Sequence, residues 1–156
     1  MGFAGNNQLR YLKRILKQTE KMNAVRILAM HHNMLPVAYS ENPQVNPMYS
    51  ILLDSEAISQ FCVENNISMV LHGHTHKEFY TEVTRKASDG NKKTIYIVGL
   101  GSTGAVRGDL SEESHNQFAT IQFEKSEIKI SIYPISPTGG GSNKECIVEH
   151  IIPYGE

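Results

Sequence analysis

Two short apolar segments, each running straight into histidines, constrain this chain more than anything else in it. Val25-Arg26-Ile27-Leu28-Ala29-Met30 ends in His31-His32, and Ile67-Ser68-Met69-Val70-Leu71 ends in His72-Gly73-His74-Thr75-His76. Both runs have strand length. Aliphatic and β-branched residues crowd the first densely enough for a strand covered on both faces. Between them the pattern changes period. Asn33 to Pro47, with Pro36, Pro43 and Pro47, reads as a loop. Asp54 to Asn65 reads as a helix, with Ile58, Phe61 and Cys62 as its apolar stripe, Asp54 or Ser55 as its cap and Asn65-Asn66 at its end. Strand, helix, strand predicts a parallel pair joined by a crossover, hence an α/β arrangement. Both histidine groups then lie at strand C-termini, the edge where open α/β sheets build their sites.

An amphipathic helix over Asn6 to Gln18 precedes the first strand. Leu9, Leu12 and Leu16 form its stripe, Ile15 widens it, and Asn6 or Asn7 can cap it. The second half of the chain is strand-rich. Phe79 to Val83, Thr94 to Val98, Phe118 to Phe123 and Ile128 to Tyr133 read as strands of an antiparallel sheet, turned at Asp89-Gly90 and at Glu124 to Glu127. Thr138 to Ser142 reads as a glycine-rich link, and Ile147 to Ile152 as a last edge strand. This divides the chain into a main body, 1–137, and a link with a tail strand, 138–156.

Fifteen basic residues against 16 acidic ones leave no basic excess, which argues against nucleic-acid binding. Apolar runs are too short to span a bilayer, so no membrane association is expected. Met1-Gly2 opens like a myristoylation site, but Asn6 stands where that motif wants Ser or Thr. The two cysteines, Cys62 and Cys146, make neither a disulfide framework nor a zinc ribbon, and a reduced, cytoplasmic setting is expected. Gly99, Gly101 and Gly104 have the spacing of a nucleotide fingerprint, but no amphipathic helix follows, so they read as a turn. His115 and His150 read as surface residues, and His72 as a packing partner of the group beside it.

The remaining histidines suit metal chemistry. In an extended chain His74 and His76 share a face, with Cα atoms roughly 7 Å apart. Such a pair can give one nitrogen to each of two ions about 3.5–4 Å apart. Gly73 lets the backbone turn and approach a ligand. Imidazole suits zinc and iron, whereas manganese prefers carboxylates. Carboxylates are scarce: Asp54, Asp89 and Asp109 are the only aspartates, and none lies in a D-x-H arrangement.

Leu28-Ala29-Met30-His31-His32, then Pro36, then Val70-Leu71-His72-Gly73-His74-Thr75-His76 resembles the calcineurin-like metallophosphoesterase family. That family carries, in order, D-x-H, G-D-x-x-D/E, G-N-H-D/E, a strand ending in H or H-H-x-P, and G-H-x-H. Gln8-Leu9-x-x-Leu12 and Ile97-Val98-Gly99-Leu100-Gly101-Ser102 match its flanking helix and turn, so the resemblance spans residues 5 to 133. It implies the C-terminal half of a four-layer α/β/β/α sandwich, a parallel pair with helices followed by an antiparallel sheet. It further implies that His31 and His74 bind one divalent ion and His76 a second, the pair being Mn, Fe or Zn. His32 then faces a small phosphate-ester substrate as the catalytic contact. The implied activity is metal-dependent phosphoester hydrolysis.

The first three motifs do not occur ahead of Val25. Gly5-Asn6-Asn7-Gln8 has Asn where G-N-H-D needs His, and Gly108-Asp109-x-x-Glu112 follows G-H-T-H in a loop, so both read as coincidental. Two alternatives therefore stand beside the enzyme. One is a catalytically incomplete half-domain, a scaffold that associates through open strand edges with another copy or with a chain supplying the N-terminal half. The other is a single zinc ion on His31, His74 and His76.

Overall fold

The computed structural model describes residues 2–19, 22, 24–38, 49–50, 52–74, 78–104, 116–135 and 145–154. They fall into two compact units, one of residues 1–75 and 80–98, the other of 76–79 and 99–156.

The first unit opens with helix α1 (Gly5–Gln18). Its stripe of Leu9, Leu12 and Leu16 is half-buried, while Ile15 is exposed rather than widening the stripe. Asn6 and Asn7 do not cap it. The side chain of Asp54 does, accepting hydrogen bonds from the backbone N–H groups of Ala4 and Gly5 at 2.8–3.1 Å. A carboxylate from elsewhere in the chain outcompetes a local amide because it brings full negative charge to the positive end of the helix. For the same reason Asp54 makes no side-chain bond to its own helix, α2 (Ser55–Glu64). That helix buries Ile58, Ser59, Cys62 and Val63. It ends at Asn65 as the sequence suggests, with Asn66 in the left-handed region at φ 53°. The ammonium group of Lys93 donates to the Val63 carbonyl at 3.0 Å and to Asn66 Oδ1 at 2.8 Å, placing a cation at the helix C-terminus.

Strands β1 (Arg26–Met30) and β4 (Ile67–His72) are parallel, with Met30 level with His72. The expected loop contains a short antiparallel pair, β2 (Val37–Ala38) with β3 (Tyr49–Ser50). The first sheet is completed by β5 (Phe79–Lys86) and β6 (Lys92–Gly99), in the order β1-β4-β6-β5. Ala87 to Asn91 turns between β5 and β6, with Gly90 at φ +89°, so the two run antiparallel.

Two expectations change here. β5 and β6 join the sheet of β1 and β4 rather than the later antiparallel one, because local alternation specifies a strand but not its partner. β1 is not buried: none of its residues is fully covered, since it has a strand on one side only among the described elements. The core lies on β4 and β6, where Met69, Val70, Ile95, Ile97 and Val98 have no exposed surface.

The second unit is an antiparallel sheet of β7 (Gln117–Phe123), β8 (Glu127–Pro134) and β9 (Val148–Pro153), with β8 in the middle. Ile128, Ile130 and Ile132 alternate along β8 into its core with Ile152 of β9. Glu124 closes the β7–β8 turn onto Glu127 at 2.9 Å. The glycine turn after β6 packs against this sheet: a Cβ at Gly101 would lie 2.1 Å from the Gln117 side chain. Thr138 to Ser142 lies outside the described residues. No helix among the described residues is long and apolar enough to cross a membrane.

Candidate functional site

The level ends of β1 and β4 bring the two histidine groups together. His31 Nε2 and His74 Nδ1 stand 2.7 Å apart, although 43 residues separate them. The His32 ring lies 5.1 Å from that of His31, edge-on, and 5.0 Å from that of His74, tilted by 37°. His31 and His74, two of the three histidines expected to share the centre, therefore stand together, with His32 beside them. His76 lies outside the described residues, as do His115 and the Gly108–Glu112 decoy. The Gly5–Gln8 decoy is the first turn of α1.

The turn is made differently from expectation. His74, not Gly73, adopts the left-handed backbone, at φ 77°. That conformation is uncommon for a residue with a Cβ and concentrates at functional sites. The expected shared face of His74 and His76 depends on residues 75 and 76, which lie outside the described residues. Gly73 has room instead: a Cβ there would meet nothing within 4 Å.

At 2.7 Å the two nitrogens share one proton, so one ring donates and the other accepts. Two nitrogens on one tetrahedral zinc would sit about 3.3 Å apart, given Zn–N bonds of about 2.0–2.1 Å. Opening the pair by about half an ångström would serve, so His31 and His74 fit as two ligands of one ion. Among the described residues no group of three or more His, Cys, Asp or Glu converges for a metal. Three rings within 5.1 Å of one another are therefore not a complete centre, because their nitrogens must also aim at one point. The described side chains supply two ligands of one ion; His76, expected to bind the second, lies outside the described residues.

The flanking residues are less exposed. His72 is buried at the end of β4, with Nδ1 3.4 Å from the Gly73 carbonyl, and burial pushes its pKa below the ordinary histidine value. That keeps it neutral at pH 7, as a packing role requires. Asn33 reads in the sequence only as the first residue of a loop. It has no exposed surface, and among the described residues neither Oδ1 nor Nδ2 meets a hydrogen-bond partner. No local pattern signals this, because Asn is common in loops. His150, expected on the surface, is largely covered on β9, with Nε2 3.7 Å from Glu78 Oε1.

No family model and no curated protein matches the chain. Solved structures do. GAP50, the anchor in the inner membrane complex of Plasmodium, superposes with a TM-score of 0.59 at 13% identity, over 96% of this chain and 43% of its own. Vps29 from Entamoeba histolytica, in a doubly substituted form, gives a TM-score of 0.39 at 20% identity, over 65% of this chain and 47% of its own. A protein from Streptococcus pneumoniae described as a predicted phosphoesterase gives 0.38 at 12% identity, over 62% and 46%. Zinc is present in a further structure of the Entamoeba Vps29. At TM-scores of 0.39 and 0.38, the likeness to Vps29 and to the Streptococcus protein says nothing further of this chain. The likeness to GAP50 is one of fold alone. The chain spans less than half the length of each of these proteins. Its fold is the mixed α/β arrangement the sequence implies, a parallel pair with helices and then an antiparallel sheet.

Proposed function

We propose that this chain carries the imidazole side of a divalent-metal centre that hydrolyses a small phosphate ester. The observation behind this reading is the 2.7 Å approach of His31 Nε2 and His74 Nδ1 from the ends of two parallel neighbouring strands. His31 and His74 would hold one ion and His76 a second, the ions being Mn, Fe or Zn. Such ions polarise phosphoryl oxygens and lower the pKa of a bound water. His31 and His74 contribute neutral nitrogens and set the place of the ester. His32 faces the substrate and donates a hydrogen bond to it. Because neutral imidazoles do not offset a dication's charge, the centre also needs carboxylates.

A second reading has a specific observation in its favour. Among the described residues no third metal-type side chain joins His31 and His74. The chain would then be a half-domain without catalysis of its own. The open edge of β1 would be its route to another copy or to a chain that completes the centre.

Elemental analysis after loading with Zn or Mn, beside hydrolysis of bis-p-nitrophenyl phosphate, separates the two. Retained metal with turnover, both lost in His31→Ala and His74→Ala while the melting temperature holds, is the expected result. A chain that stays metal-free and inactive belongs to the second reading.

A further inference from the structure

Three consecutive residues staple a distant segment onto the histidine turn. The backbone N–H of Leu52 donates to the Asn33 carbonyl at 3.1 Å, and that of Leu53 donates to the Gly2 carbonyl at 3.0 Å. The Asp54 carboxylate accepts from Ala4 and Gly5, and Gly2 bridges Leu52 in parallel. Residues 52–54 thus fix the separation between residues 2–5 and the chain just after His32.

What this fixes is the place of a ring. Gly2 is buried against His32, and a Cβ built on it would lie 2.6 Å from His32 Cγ, 2.7 Å from Nδ1 and 3.0 Å from Cδ2. Cγ sits one bond from the Cβ of His32, so it cannot swing aside like the tip of a long side chain. The same His32 ring meets the rings of His74 and His31, the two that share the short nitrogen contact. A methyl group at residue 2 would therefore displace the His32 ring that packs against that pair.

We infer that Gly2, clamped by Leu53 and Asp54, is a positioning residue that seats His32 and, through it, holds the His31–His74 pair in register. As far as the ligand is a metal, this rests on the reading above. The ring placement does not.

The test is a mutant cycle on zinc affinity, read by competition with a fluorescent chelator. Gly2→Ala is expected to weaken zinc about tenfold or more, the scale seen when a residue that orients a metal ligand is lost. The double variant Gly2→Ala/His32→Ala should bind zinc as His32→Ala does alone, because the ring that the methyl meets is gone. The melting temperature should stay near that of the parent chain. Gly104→Ala, where a Cβ meets nothing within 4 Å, is the control. Unchanged zinc affinity in Gly2→Ala overturns the inference, and so do additive losses in the double variant. A second arm uses NMR on the metal-free chain. A nuclear Overhauser effect between the Gly2 α protons and the His32 ring is expected, and its absence overturns the inference. If the parent chain binds no zinc but shows that effect, and Gly2→Ala separates the His31 and His74 rings, the metal reading fails and the positioning stands. If Gly2→Ala does not fold, Asp54→Asn takes its place. It should weaken zinc affinity and the Gly2–His32 effect together, and loss of neither would overturn the inference.

Discussion

Asn33 shows how much can ride on one side chain that pattern reading ignores. A buried amide without partners costs about 1–3 kcal/mol, because its water is removed and nothing replaces it. Leucine has similar volume and no polar atom. Asn33→Leu is therefore expected to raise unfolding stability by about 1–2 kcal/mol in urea titrations of the metal-free chain. A fall would mean that the amide holds a bond within the fold. The two cysteines differ by environment alone. Burial pushes the Cys62 thiol up to about 12, whereas Cys146 is exposed. Ellman's reagent at pH 8 should titrate one thiol per native chain and a second only after denaturation. Histidines 31, 32 and 74 were legible as a group because strand ends project into loops at one edge. That Asn33 is buried and Gly2 touches His32 was not, because both facts depend on chain brought from elsewhere.

At the scale of elements, the helices and strands follow from periodicity, and their ends follow from longer-range partners. Asp54 shows this by capping α1 instead of α2. Glu64 shows it again at the last turn of α2, where its carboxylate accepts from Ser88 Oγ at 2.5 Å, from Ser88 N at 2.7 Å and from Gln60 Nε2 at 2.8 Å. These bonds, the Ser88 hydroxyl's first, pull its pKa below the ordinary carboxylate value. A lowered carboxyl pKa means that the unfolded chain binds the proton more readily. The contribution is present at neutral pH and is lost as pH falls through the lowered value. Glu64→Gln should therefore melt below the parent chain at pH 7, and the gap should close in acid. A gap that widens on acidification would refute this.

For the molecule as a whole, each unit carries its own buried aliphatic core, one on β4 and β6 and one on β8. A ligand bound only by the folded first unit should stabilise it by mass action. Zinc at a hundredfold excess over its dissociation constant would add about 2.7 kcal/mol. This gain should fade as pH drops, because imidazole binds metal only when neutral. It should vanish in His31→Ala. Calorimetric melts at pH 7.5 and 5.5, with and without zinc, measure both effects, and an equal gain at the two pH values would exclude the histidine pair as the ligand.

The two helices, the longer strands in their order, the parallel pair and the histidines at its C-terminal edge were determined by the sequence alone, because period and turn chemistry act over a few residues. Tertiary structure decided which sheet β5 and β6 joined, left β1 half-covered, moved the left-handed turn from Gly73 to His74 and set Gly2 against the His32 ring. Each of these is a contact between segments far apart in the chain, settled by which packing buries the most apolar surface while satisfying backbone polar groups. No local pattern encodes that comparison.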